Sequence, residues 1–154
     1  MSRSESGDYE DGNGEVVPSR WRKCNTDLAL GLTPDEDTVL EATLGSGDGI
    51  ARDAGRGMDG SQFRRDSLGL RFEKAFHGGS PRTLQASVNS NEADHVMDNF
   101  ALRDPNPMGP MPMPMAADVD RRTDGGRIAA GWAWTTLGLT AGVDSQRSRQ
   151  RQRS

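Results

Sequence analysis

The chain has 154 residues, a hydrophobic fraction of only 32%, 19 glycines and a formal charge of −4, with a mean hydropathy of −0.77. On a water-soluble reading, so little apolar surface is close to disorder. It leaves a largely disordered chain or a transmembrane β-barrel, in which only every second strand residue need be apolar. The lone Cys24 excludes a disulfide framework, and no apolar run reaches the roughly 18 residues of a membrane helix.

The chain starts acidic, in ESGDYEDGNGE, with no apolar stretch behind Met1 that would mark an export signal. The acidic start attracts cations in principle but is not a full EF-hand loop. Residues 1–14 read as an extracellular loop or disordered lead, and residues 15–154 as the structured part. From there apolar residues recur with period two. Leu28, Leu30 and Leu32 alternate in CNTDLALGL, and Leu40, Ala42 and Leu44 in TVLEATLG. Leu68, Leu70 and Phe72 follow in RRDSLGLRFEK, then Leu84, Ala86 and Val88 in TLQASVNSN. Ile128, Ala130, Trp132 and Trp134 alternate in GGRIAAGWAW, and Leu137, Leu139, Ala141 and Val143 in LGLTAGVDSQ. Such alternation predicts antiparallel strands, roughly 19–33, 38–46, 63–75, 82–103, 118–135 and 137–150.

The connections are unequal. TPDED, HGGSP and TTL are tight turns, whereas residues 46–62 and 104–118 form long loops. Short and long connections in alternation are the rhythm of an outer-membrane barrel, with short periplasmic turns and long extracellular loops. Phe72, Phe76, Trp132 and Trp134 precede the short turns, where an interfacial aromatic girdle lies. A soluble meander with one wet face shares the alternation but does not need this asymmetry. The expected fold is therefore all-β: an antiparallel up-and-down meander of about six strands. Six are too few to close around a lumen, so the meander is expected to be part of a larger transmembrane barrel.

Continuing the fourth strand by parity places Asn91, His95 and Met97 on its polar, lumen-facing side, provided no bulge intervenes. HVM is a His-x-Met pair, and imidazole with thioether suits copper, Cu(I) especially. The segment DPNPMGPMPMPMAADVD follows, with five of the chain's eight prolines and four of its seven methionines. Proline keeps it out of regular structure. Met108, Met111, Met113 and Met115 are then expected as flexible auxiliary ligands over the lumen mouth. His77, in the turn FHGGSP, reads as turn surface, and Cys24 as a small outward-facing residue. GSGDG lacks the GxGxxG spacing. No nucleophile–base set or carboxylate pair can be assembled, so an enzyme is not expected. The basic tail RSRQRQR suits a strand end, and no nucleic-acid partner is expected.

Four stretches carry a family resemblance: YEDGNGEVVPSRWRKCNTDLALGLTPDEDT, GDGIARDAGRGMDGSQFRRDSLGLRFEK, HVMDNFALR and PMPMAADVDRRTDGGRIAAGWAW. Together they resemble the TonB-dependent outer-membrane copper receptors of Gram-negative bacteria, over about residues 8 to 154. The resemblance implies a plug domain inside a large barrel and energy delivered through a TonB box. It also implies copper held by a Cys-x-x-x-Met pair from the plug and a His-x-Met pair from the barrel. His95 and Met97 match the barrel pair. The plug pair has no counterpart, since Cys24 is followed four residues on by Leu28. The expectation is thus a barrel portion, located in the outer membrane against lipid, that binds copper as transported cargo. It would reach the TonB system only through a plug and TonB box outside this sequence. The competing readings are a siderophore receptor portion without copper preference and a soluble, disordered, Met-rich metal-binding or interaction protein.

Overall fold

The computed structural model describes residues 1–153. In chain order the strands are β1 (Ser2–Ser6), β2 (Tyr9–Glu10), β3 (Val16–Val17), β4 (Trp21–Leu32), β5 (Thr38–Ala51), β6 (Asp59–Ala75), β7 (Thr83–Asp98), β8 (Ala116–Ala133) and β9 (Gly138–Arg153). Seven of them form one antiparallel sheet in the order β1-β4-β5-β6-β7-β8-β9, and β2 pairs only with β3. Among the described residues there is no helix.

The meander is as expected for β4 to β9, and β1 adds a seventh strand from the segment read as an unstructured lead. SRSES has no apolar residue to set a period. It is held by backbone pairing alone, Ser2 opposite Asn25 through Ser6 opposite Trp21. The same reason explains the shortened first long loop. β5 runs on through GSGDGIA to Ala51, paired residue for residue with β4 up to Trp21, so only residues 52–58 remain unpaired instead of 46–62. At the other long loop β7 stops at Asp98, short of residue 103. The Asp98 carboxylate accepts the Phe100 and Ala101 N–H groups at 3.0 and 2.7 Å and turns the chain out of the sheet.

One face carries an apolar belt. Leu30, Ala42 and Leu70 lie in one cross-strand row, but the centre of the apolar triplet then moves. Leu70 faces Val88, whereas the β7 triplet centres on Ala86. Ala86 faces Ile128, whereas the β8 triplet centres on Ala130. A level belt that steps by two residues at each of these seams belongs to strands tilted against it, as in a barrel wall. Leu30 is 62% and Val143 69% exposed, while the only buried apolar residue described is Ala129. The molecule is therefore inverted relative to a water-soluble protein, whose large apolar side chains are mostly covered. A belt-face groove of about 490 Å³ runs between Leu30, Leu40, Leu70 and Phe72.

The opposite face is polar. Gln85 donates to Glu73 at 2.9 Å, Arg71 to the same carboxylate at 2.7 Å, and Arg127 lies 3.7 Å from Asp144. Glycines on this face make room for side chains leaning across from the next strand: a Cβ on Gly69 would sit 2.5 Å from Thr43 Oγ1. Beyond Val88 on β7 and Val143 on β9 the belt face itself becomes charged. The long-loop ends of the strands therefore project past the apolar layer as a polar crown.

Candidate metal site

The site lies on β7 in the crown. His95 is seven residues past Val88, about 23 Å along an extended strand. β7 pairs with β8 without a break from Thr83 opposite Gly131 to Asp98 opposite Ala116. No bulge separates Asn89 from His95 in either pairing of β7. Asn91, His95 and Met97 therefore share the polar face with Gln85 and Asn89. On a strand, i and i+2 side chains leave the same face side by side, so imidazole and thioether form a two-point set.

The surroundings of that set are apolar. Phe63 stands opposite His95, and Gly60 opposite Met97, on β6. Val119 and Ala117 occupy the matching positions on β8. The Phe63 and His95 ring centroids are 4.4 Å apart at an interplanar angle of 34°. His95 Nε2 is buried and has no hydrogen-bond partner. A buried ring nitrogen left unmatched is costly unless it donates to, or ligates, something. Among the described residues no three His, Cys, Asp or Glu side chains converge.

The methionine loop is ordered rather than loose. Asn99, 1% exposed, is its anchor. The Asn99 carboxamide donates to the carbonyls of Met111 at 3.1 Å and Met113 at 2.9 Å, and accepts the Met115 N–H at 2.8 Å. The Asn99 N–H also donates to the Met115 carbonyl at 3.2 Å. This places Met115 in register just beyond the Ala116–Asp98 pair. Met111 is half-buried, its sulfur 3.3 Å from where a Cβ on Gly57 would lie. Met108 and Met113 are 93% and 71% exposed and are not gathered with the others.

A second anchor ties the two long loops together. Asp59, fully buried, accepts both Nε and Nη2 of Arg103, the former at 2.7 Å. Arg103 also donates to the carbonyls of Arg56 and Asp53 at 2.8 and 2.6 Å, and the Asp53 N–H reaches Asp59 at 2.8 Å. Bonding to Asp59 first, and the nearby negative charge second, hold the Arg103 guanidinium above its ordinary range despite partial burial.

Other candidates have local roles. His77 Nε2 lies 2.6 Å from Asp37 and clasps two short turns. Cys24 is a free, half-buried thiol between Arg3 and Asp48. In the acidic start, Asp11 is taken up by the Asn13 and Glu15 N–H groups at 2.8 and 3.0 Å. Parity placed His95 and Met97 on the polar face, where β7 carries them, but gave no hint of Gly60, Asn99, Asp59 and Arg103 beside them. Phe63 did leave a signal, as an apolar residue on the polar parity of its strand.

An open antiparallel sheet, with a tilted apolar belt on one face, a polar opposite face and crown loops at one end, is a stretch of β-barrel wall. The chain matches the solved structure of a protein described as "Copper transporter OprC" at 58% identity and a TM-score of 0.92, over 98% of this chain and 23% of that one. It thus spans 23% of that protein's length. No protein-family model and no curated protein matches the chain.

Proposed function

We propose that this chain is a wall segment of a TonB-dependent outer-membrane receptor that binds copper and admits it to the periplasm. The apolar belt would face lipid, the polar face the lumen, and the crown the cell exterior. His95 and Met97 are the lumen ligands. The observation that carries this reading is the buried, unpartnered Nε2 of His95 on the same face as the Met97 thioether. The solved relative's description as a copper transporter supports the choice of ion. Imidazole and thioether form a soft-to-borderline set that suits Cu(I). Two donors do not complete a coordination sphere, so the remaining ligands come from elsewhere in the receptor. In the resembled family these belong to the plug, which also carries the TonB connection. Of the loop methionines, Met115, held by Asn99 at the β7 end, and Met111, half-buried against Gly57, are the auxiliary ligands. Met108 and Met113 would serve only as first contacts from solvent. The segment binds its cargo and performs no covalent chemistry.

The test is copper binding by the intact receptor and its His95→Ala and Met97→Ala variants. Each should weaken copper by more than the roughly 10–100-fold typical of losing a residue that only supports a ligand. A receptor without copper preference, such as one for siderophores, would bind copper equally in all three, and that result removes the site.

A further inference from the structure

β6 is not a passive neighbour of His95 and Met97. Below the crown it pairs with β7 residue for residue, so strict alternation would set Ser61 opposite Met97. Ser61 is instead the extra residue of a bulge between Gly60 and Gln62, and Gly60 takes the place opposite Met97. A bulge re-aims the side chains beside it. Here, while the Ser61 hydroxyl donates to the Val96 carbonyl at 3.4 Å, it puts a residue with no side chain at the position opposite the thioether. The Phe63 ring fills that position. A Cβ on Gly60 would collide with Phe63 Cε2 and Cζ, so the ring occupies the space that only glycine leaves open. From that seat it lies against the His95 imidazole, with centroids 4.4 Å apart. Val119 and Ala117 close the other side. None of the four flanking side positions offers a polar side chain, although the same face is polar lower down, at Asn91–Thr123 and Ser87–Arg127.

We propose that Phe63 is a positioning residue for metal capture: seated on Gly60 by the bulge at Ser61, its ring fixes the imidazole plane of His95 and keeps polar competitors from Nε2. This rests on the reading of His95 and Met97 as ligands. A ring packed this close restricts rotation of the imidazole about its last side-chain bond, which for histidine is otherwise broad. A ligand whose orientation is fixed in advance loses less freedom on binding. The apolar flank also leaves Nε2 without a hydrogen bond to break when it ligates.

The experiment is a Cu(I) titration against a competing chelator, repeated with redox-inert Ag(I), on the intact receptor in detergent micelles. Far-UV circular dichroism serves as the folding check. Phe63→Ala and Phe63→Leu should each weaken binding about tenfold, while Phe63→Tyr, which keeps the ring, should stay within about twofold of the parent. Gly60→Ala should weaken binding by displacing the ring. Added to Phe63→Ala it should cost nothing more, because no ring remains to displace. In nuclear magnetic resonance spectra, the His95 ring protons should carry an aromatic ring-current shift that disappears in Phe63→Ala and Gly60→Ala. Steric contact alone would couple Gly60 and Phe63, but it would not separate Phe63→Leu from Phe63→Tyr in affinity. Parent-like affinity in Phe63→Leu, or equal losses in Phe63→Leu and Phe63→Tyr, overturns the proposal, and both variants keep a large apolar side chain should Phe63→Ala fail to fold. If His95→Ala itself leaves Cu(I) binding unchanged, the ligand reading fails first. That outcome is distinct from loss in His95→Ala with no effect at Phe63.

Discussion

In the apolar belt, Leu28 to Leu32 face Leu44 to Leu40, and these face Leu68 to Phe72, with no register shift. In the crown above, β5 and β6 slip between Gly47 and Ala51, and β6 and β7 slip between Gly60 and Gln62. The belt exposes its leucines, while the crown buries Asp59, Asp98 and Asn99 to 0%, 3% and 1% exposure. Two kinds of cohesion follow. With the belt against lipid, as proposed, backbone pairing and an apolar solvent would suffice, so repetition is enough. The crown has no apolar core, and a few fully bonded polar side chains substitute for one. The irregularities and the candidate ligands therefore share the same end.

The largest expected effect lies in the crown. Arg103→Ala would strand the buried Asp59 carboxylate, and loss of one partner from a buried ion pair costs about 3–5 kcal/mol. If crown and belt are held separately, hydrogen exchange will rise at residues 53–59 and 99–103 and stay unchanged at Leu40 to Leu44. A uniform rise across the sheet would show one cooperative unit and break the comparison.

The belt is tested by two neighbouring substitutions. Leu30→Arg puts a charge on the apolar face at mid-belt and should cost about 2–4 kcal/mol of folding free energy in lipid vesicles, whereas lumen-face substitutions in barrels are far milder. Ala29→Arg, one residue away on the polar face opposite Thr43, should be close to neutral in the same vesicles. Equal costs would mean that the two faces have been exchanged or that both are wet.

The same contrast explains what could be read from the sequence. A period of two is repeated information, and Leu28 through Val143 display it in six segments, so the meander and its belt were legible. β1 was not, because SRSES pairs through its backbone and offers no apolar signal. The position of His95 and Met97 followed from parity because β7 is free of bulges. The bulge at Ser61 lies on the neighbouring strand and leaves no period to detect, so the match of Gly60 to Met97 was hidden. Asn99 and Arg103 act on partners 12 to 50 residues away in sequence. No local pattern encodes such a match. Their effect is to turn a proline-rich tract that reads as loose chain into a fixed one.

The smallest effect concerns acid, and it separates the short-turn end from the ordered crown loops. In the turn between β4 and β5, Asp35 accepts Lys74 Nζ at 3.0 Å, Thr38 Oγ1 at 2.8 Å and the Asp37 N–H at 3.0 Å. The bond from Lys74, then that from Thr38, holds this carboxyl below its ordinary value. A group whose folded pKa is depressed stabilises the fold fully above its unfolded value, about 3.9 for aspartate, and loses that contribution as pH falls through the lower folded value. The turn should therefore behave alike at pH 7 and pH 5 and loosen only below about pH 4. Asp35 is exposed, so solvent screens the effect and keeps it local. The check is the Thr38 amide proton, which donates to the Asp35 carbonyl at 3.3 Å. Its protection, corrected for intrinsic exchange, should fall in acid in the parent. In Asp35→Asn, which cannot ionise, it should be lower at neutral pH and flat through the same range. An equal acid response in both would show that the Asp35 carboxylate does not hold the turn.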